Sequence, residues 1–117
     1  MKKKLLFRGT GTALVTPFTG KGEIDERSLR KLVDFQIANG VEAILPAGTT
    51  GESATLTDDE QARVIEIVAD QARKRAKIIA GAGANSTAKA IALAIRARSA
   101  GADAILSVAP YYNKPTQ

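Results

Sequence analysis

Val41-Glu42-Ala43-Ile44-Leu45 runs into Pro46-Ala47-Gly48-Thr49-Thr50-Gly51-Glu52-Ser53, and Thr57-Asp58-Asp59-Glu60 follows shortly after. The first five residues read as a short buried strand. The last four open a helix, with Thr57 and Glu60 in a capping-box pattern. Between them two glycines bracket two threonines, so the backbone can fold tightly while N–H groups and two hydroxyls converge on one small volume. Such a loop between strand and helix suits an anionic oxygen group. Taken alone, it is equally well explained as a glycine-rich turn that holds nothing, so the surrounding chain must decide.

Strand and helix continue to alternate in both directions. Upstream, Gly11 to Val15 is a short apolar strand ended by Thr16-Pro17, and Gly20-Lys21-Gly22 is a turn. Asp25 caps a helix whose inward positions Leu29, Leu32, Val33, Gln36 and Ile37 recur three and four apart, and Asn39-Gly40 stops it. Downstream, the helix opened by Thr57 carries Val64, Ile65, Ile67, Val68 and Ala72 to about Lys74. Lys77 to Ala80 is a third strand and leads into Gly81-Ala82-Gly83-Ala84-Asn85. Ser86 caps an alanine-rich helix expected to turn Ala88, Ile91, Ala92 and Ile95 inward, with Gly101 closing it. Ala104 to Val108 is a fourth strand, leaving into Pro110-Tyr111-Tyr112-Asn113-Lys114-Pro115. Gly40-Val41-Glu42-Ala43-Ile44-Leu45 returns as Gly101-Ala102-Asp103-Ala104-Ile105-Leu106, an internal echo two βα units later.

The order is strand, helix, strand throughout, and the strands are too apolar to have a solvated face. That is a parallel α/β domain with helices outside. The loops Thr16-Pro17-Phe18, Gly48 to Ser53 and Pro110 to Pro115 then emerge at one end of the sheet, where α/β proteins keep their sites. A doubly wound sheet would also explain four strands, but it usually carries a phosphate loop after the first. Thr16-Pro17-Phe18 is a poor one, so barrel topology is favoured.

The 117 residues contain no cysteine and no histidine, which excludes thiolate chemistry, His-based acid–base work and the usual transition-metal ligands. Chemistry must come from Thr, Tyr, Lys, Arg, Asp and Glu. The net charge of +5 raises nucleic acid as a partner. However, the basic groups in Met1-Lys2-Lys3-Lys4, Arg27/Arg30/Lys31 and Arg73-Lys74-Arg75-Ala76-Lys77 are mostly interleaved with acids or placed at a helix end. With 4% aromatic residues there is no stacking platform, so no nucleic-acid binding is expected. Leu5-Leu6-Phe7 is too short for a signal-peptide core and no run approaches membrane-spanning length, so a soluble, cytoplasmic protein without membrane contact is expected.

Val15-Thr16-Pro17-Phe18, Gly48-Thr49-Thr50-Gly51-Glu52-Ser53, Gly81-Ala82-Gly83-Ala84-Asn85 and Pro110-Tyr111-Tyr112-Asn113-Lys114-Pro115 occur in one register. Together they closely resemble the dihydrodipicolinate synthase family of the N-acetylneuraminate lyase superfamily, from about Gly9 to Gln117. Sialic-acid lyases look like Gly-Ser-Thr-Gly-Glu where this chain has Gly-Thr-Thr-Gly-Glu. The resemblance implies the first four strands and three helices of a (β/α)8 TIM barrel: residues 1–117 as the amino-terminal half of one domain, cut in the fourth βα loop. It implies condensation of pyruvate with aspartate semialdehyde through a lysine Schiff base, with no cofactor and no metal, in a homo-oligomer.

Residue by residue, the resemblance places Thr49 in a hydroxyl relay with two tyrosines, and Thr49 and Thr50 at the pyruvate carboxylate. Tyr112 becomes the relay tyrosine that reaches a neighbouring subunit. The second relay tyrosine, an arginine after the fifth strand and the Schiff-base lysine have no counterpart here; neither Lys77 nor Lys114 matches the family lysine. In lysine-inhibited members, feedback lysine is held at positions matching Ser53, Ala54, Asp58, Gln61, Asn85, Lys89 and Tyr111. A glutamate typically stands at the Lys89 position, with histidines common at those of Asp58 and Gln61.

Plainer roles exist for the same residues. Tyr111 and Tyr112 can be aromatic plugs, Glu52 can fix its own loop, and Asn85 can cap or turn. Asp58, Asp59 and Glu60 suit a helix's first turn without any metal. Three functions stay open: the synthase, a non-catalytic half-barrel acting through self-association or a complementary half, and another pyruvate-dependent aldolase. Four parallel strands cannot close a barrel. Open edges at the first and fourth strands are therefore expected, with Leu14, Ile44, Ile79 and Ile105 facing the open interior.

Overall fold

The computed structural model describes residues 4–116. Met1, Lys2 and Lys3 of the basic leading run, and Gln117 at the end of the family resemblance, lie outside the described residues. The chain runs β1 (Gly11–Ala13), α1 (Glu26–Ala38), β2 (Ala43–Leu45), α2 (Asp58–Ala72), β3 (Lys77–Gly81), α3 (Thr87–Ser99), β4 (Ala104–Leu106).

The helices start where the sequence provides caps. The Asp25 carboxylate accepts the Ser28 N–H at 3.0 Å and the Ser28 hydroxyl at 2.6 Å. Thr57 and Glu60 exchange side-chain-to-backbone bonds at 3.2 and 2.7 Å, so the capping box forms as read. Ser86 accepts from the Lys89 N–H. The stops are equally local. Gly40 and Gly101 take φ of 87° and 106° just past their helices. α2 ends at Ala72, two residues earlier than expected, because Arg73 and Lys74 turn left-handed at φ 47° and 63°.

Most strands are shorter than the apolar runs that announced them. Val41 donates its N–H to Gln36 O at 3.2 Å, so it completes the end of α1 instead of opening β2. β1 is three residues long, although Leu14 N–H still reaches Leu45 O at 2.9 Å beyond it. The sheet order is β1-β2-β3-β4, parallel throughout. A doubly wound sheet reverses direction from an internal strand; this one adds each strand to the last, as a barrel does.

Register separates the two faces. Thr12 pairs with Ile44, Ile44 with Ile78, and Ala80 with Ile105, so these residues share one face with Leu14. On it, Leu14, Ile44 and Ile78 pack with Leu29, Val33, Val64, Ile67 and Val68 of α1 and α2 in the main core. Ala80 packs with Ile65, Leu93 and Ala97 in a second cluster under α2 and α3. The opposite face carries Gly11, Ala13, Val15, Leu45, Ile79, Gly81, Leu106 and Val108, and no helix among the described residues packs on it.

Two expectations are corrected here. Of Leu14, Ile44, Ile79 and Ile105, only Ile79 faces the open side. Leu14 and Ile44 are buried against helices, and Ile105 is on the helix side but uncovered. The one-residue offset follows from period-two alternation counted from the wrong start. In α3, Ala88, Ile91, Ala92 and Ile95 are all exposed, and Leu93 and Ala97 are the buried residues. This helix is apolar nearly all round, so spacing alone could not choose its face.

Candidate active site

Four segments leave the carboxyl ends of the strands together: Thr16 after β1, residues 48–53 after β2, 82–86 after β3 and 107–113 after β4. They can crowd because small residues stand where they touch. A Cβ at Gly81 would lie 2.0 Å from Ala47 O and 2.6 Å from Ala47 C. Ala47 itself is left-handed at φ 55°, which turns the chain from β2 into the threonine loop.

That loop folds on itself through Glu52 N–H to Thr49 O at 3.0 Å and Ser53 N–H to Gly48 O at 3.2 Å. Two side chains tie it down. Thr16 Oγ1 donates to Gly51 O at 2.7 Å, and Gln61 Nε2 donates to Ser53 O at 2.8 Å. The N–H groups of Gly48, Thr49, Thr50 and Gly51 donate to nothing among the described residues. Consecutive N–H groups without a protein acceptor, beside two threonine hydroxyls, make a donor-rich stretch.

Thr49 lines a cavity of about 240 Å³ together with Gly48, Ser53, Gln61, Gly81 and Leu106. A second cavity of about 350 Å³ shares Thr49, Ser53 and Gln61 and adds Ala54, Lys89 and Tyr111. Five of the seven positions assigned to feedback lysine therefore meet in one place. Asp58 stands beside it, 3.4 Å from Lys89 Nζ. Asn85 lines neither cavity; its carbonyl oxygen accepts from Asn113 Nδ2 at 3.5 Å, and the cap of α3 is Ser86. Thr50 is exposed outside both cavities. Tyr112, 93% exposed at φ 69°, is also outside both cavities that Thr49 lines.

Glu52 is exposed and left-handed at φ 61°. It organises its loop through its backbone: its carbonyl oxygen accepts the Thr55 N–H and hydroxyl, both at 3.1 Å. Sequence reading passed over Thr16 and Gln61 as loop anchors. A threonine directly before proline at a strand end was the available signal for the first.

The shifted titratable groups lie elsewhere, on the outer surface of α1 and α2. Glu26 is held low by Arg30 and then Arg63, Asp70 by Arg30, Asp34 by Arg75, and Asp25 by its bonds to Ser28. No three His, Cys, Asp or Glu side chains gather as a metal site among the described residues, and no helix there is long and apolar enough to cross a membrane.

Residues 6–117 match the Dihydrodipicolinate synthetase family. The chain belongs to this family. It is 62% identical over 109 residues to the 4-hydroxy-tetrahydrodipicolinate synthase of Chloroherpeton thalassium, a match covering 93% of this chain and 36% of that relative. Among solved structures it is similar to the chloride-inhibited dihydrodipicolinate synthase from Acinetobacter baumannii complexed with pyruvate: TM-score 0.90, 50% identity, 92% of this chain and 37% of that one. It is also similar to the enzyme from Cyanidioschyzon merolae with lysine bound: TM-score 0.86, 45% identity, 91% and 36%. The chain thus spans little more than a third of the length of these members of the dihydrodipicolinate synthetase family. Its four strands and three helices are the first part of a TIM barrel. The uncovered face of the sheet corresponds to the barrel interior, and the loops after the strands lie at the end where TIM-barrel proteins keep their sites.

Proposed function

We propose that this chain supplies the pyruvate-carboxylate loop and one arm of the proton relay to a cytoplasmic 4-hydroxy-tetrahydrodipicolinate synthase, which joins pyruvate to aspartate 4-semialdehyde. The observation that carries the reading is the run of unbonded N–H groups from Gly48 to Gly51 beside the Thr49 and Thr50 hydroxyls. A carboxylate offers acceptors only, and this loop offers donors. Held there, pyruvate presents its keto carbon to an amine, and a Schiff base converts the ketone into a stabilised enamine. The Thr49 hydroxyl both donates and accepts, so it can pass a proton between phenols, one of them Tyr112 from a neighbouring copy.

The amine, the second phenol and the arginine of the family pattern have no counterpart in residues 1–117. The expected result is that the chain alone binds pyruvate weakly and turns nothing over. Pyruvate added to the ¹⁵N-labelled chain should shift the Thr49 and Thr50 amides, and borohydride should trap no adduct. No amide shift at tens of millimolar pyruvate overturns the carboxylate reading, and measurable condensation by the chain overturns the division of labour. The second cavity belongs to the same proposal as the regulatory lysine position. Lys89 lines it, Asp58 beside it is paired to Lys89, and no Asp or Glu is among the described residues that line it to receive an ammonium.

A further inference from the structure

We infer that Thr16 is a positioning residue: its hydroxyl, by clamping the Gly51 carbonyl, sets the loop 48–53 in its carboxylate-binding form. The substrate part of this inference rests on the carboxylate reading above; the clamp itself does not. Among the described residues Thr16 is the buried polar side chain, 4% exposed, and its Oγ1–H donates to Gly51 O at 2.7 Å.

The base of the clamp is rigid. Pro17 restricts the backbone of the residue before it. Pro17 O accepts the Asp25 N–H at 2.9 Å, tying the segment to the cap of α1, and Leu14 N–H to Leu45 O ties it to the sheet. The seat of the clamp is equally close. A Cβ at Gly51 would lie 3.0 Å from Leu14 O, 3.1 Å from Ala47 N and 3.3 Å from Thr16 Oγ1.

The orientation this enforces matters electrostatically. Neither Thr16 nor Gly51 lines either of the two cavities that Thr49 lines, so the clamped carbonyl is occupied away from them. Turning the Gly51–Glu52 peptide over would break the bond to Thr16 together with that from Glu52 N–H to Thr49 O. It would also set the Gly51 carbonyl against the Thr49 carbonyl, which now receives the Glu52 N–H, and so disturb the loop that presents Thr49. The loop's other bonds close it on itself or tie its far end to α2. Thr16 fixes its middle.

The test uses Thr16→Val, isosteric without the hydroxyl, and Thr16→Ser, which keeps it, in the 117-residue chain. Hydrogen exchange at Glu52 and pyruvate affinity from amide shifts are measured beside the urea midpoint. Thr16→Val should weaken pyruvate about tenfold and speed Glu52 exchange by about an order of magnitude, with α1 and α2 amides unchanged. Thr16→Ser should remain within about twofold of the parent in both. Unchanged exchange and affinity in Thr16→Val overturns the inference, as does a uniform rise in exchange across the chain. If the parent shows no pyruvate shift, the carboxylate reading fails and Glu52 exchange alone decides the clamp. If Thr16→Val does not fold, Thr16→Ala removes the same hydroxyl without the branched side chain. Faster Glu52 exchange in it supports the clamp, and parent-like exchange overturns it.

Discussion

Gly81 shows how little room the site leaves at the residue scale. Its missing Cβ would meet backbone atoms of Ala47 and Gly48 between 2.0 and 2.8 Å away, and backbone cannot swing aside as a side chain does. Gly81→Ala should therefore push the threonine loop off β3 and cost about 2–3 kcal/mol, read as a lower urea midpoint with an unchanged slope. Lys89 belongs at the same scale. Its ammonium lines the second cavity, 55% exposed and 3.4 Å from Asp58. A lysine ligand there would bring a second ammonium against the first. We expect a synthase carrying this sequence in its first barrel half to be insensitive to lysine at moderate concentration, and inhibition at micromolar lysine would contradict this.

At the scale of elements, α3 is the informative helix because it has two apolar faces and only one is used. Leu93 and Ala97 lie buried against β3 and α2, while Ile91 and Ile95 stand one turn apart beside the uncovered Ile105 of β4. Leu93→Ala should cost about 2–4 kcal/mol. Ile95→Lys, at a residue 62% exposed, should change stability by no more than about 0.5 kcal/mol; equal losses in urea unfolding would reverse the assignment of faces. The internal echo also acquires a cause. Glu42 accepts the Thr10 N–H at 2.7 Å and Asp103 accepts the Ile78 N–H at 2.9 Å. Each acid closes the ladder to the preceding strand at its amino end, so the repeated pattern is a device for adding a strand.

For the whole molecule, the sheet is open where a barrel would be closed. β1 and β4 each have one partner, and Val15, Leu106 and Val108 are half-exposed on the uncovered face, at 50, 52 and 52%. Covering such surface is worth about 25 cal/mol per Å² before association costs. Unblunted edges pair with other chains, so we expect two copies to join edge to edge, or a complementary half to bind. Sedimentation at micromolar concentration should show a species above 12.3 kDa, and a well-folded monomer with protected β1 and β4 amides would refute this. The outer surface sets the response to pH. Asp25, Glu26, Asp34 and Asp70 are held below their ordinary carboxylate values in the folded state. The unfolded chain therefore binds more protons near pH 4, and this stabilisation is present above about pH 4 and lost as pH falls through the folded values. With no histidine to titrate, the urea midpoint should stay flat from about pH 6 to 8 and fall at about pH 3, and a step near neutrality would count against it.

The order of amino acids determined the element sequence, the caps at Asp25, Thr57 and Ser86, the stops at Gly40 and Gly101, and the donor-rich threonine loop. Each depends on residues within a turn or two of one another, where the backbone's orphan groups find local partners. Which face of each strand met the helices, and which side of α3 was buried, were decided by the tertiary structure alone. Both depend on the register with which segments thirty residues apart come to rest. The same is true of Thr16. Its hydroxyl is ordinary in the sequence and becomes an anchor only because parallel packing lays β1 beside β2. That packing brings Gly51, 35 positions away along the chain, within hydrogen-bonding reach.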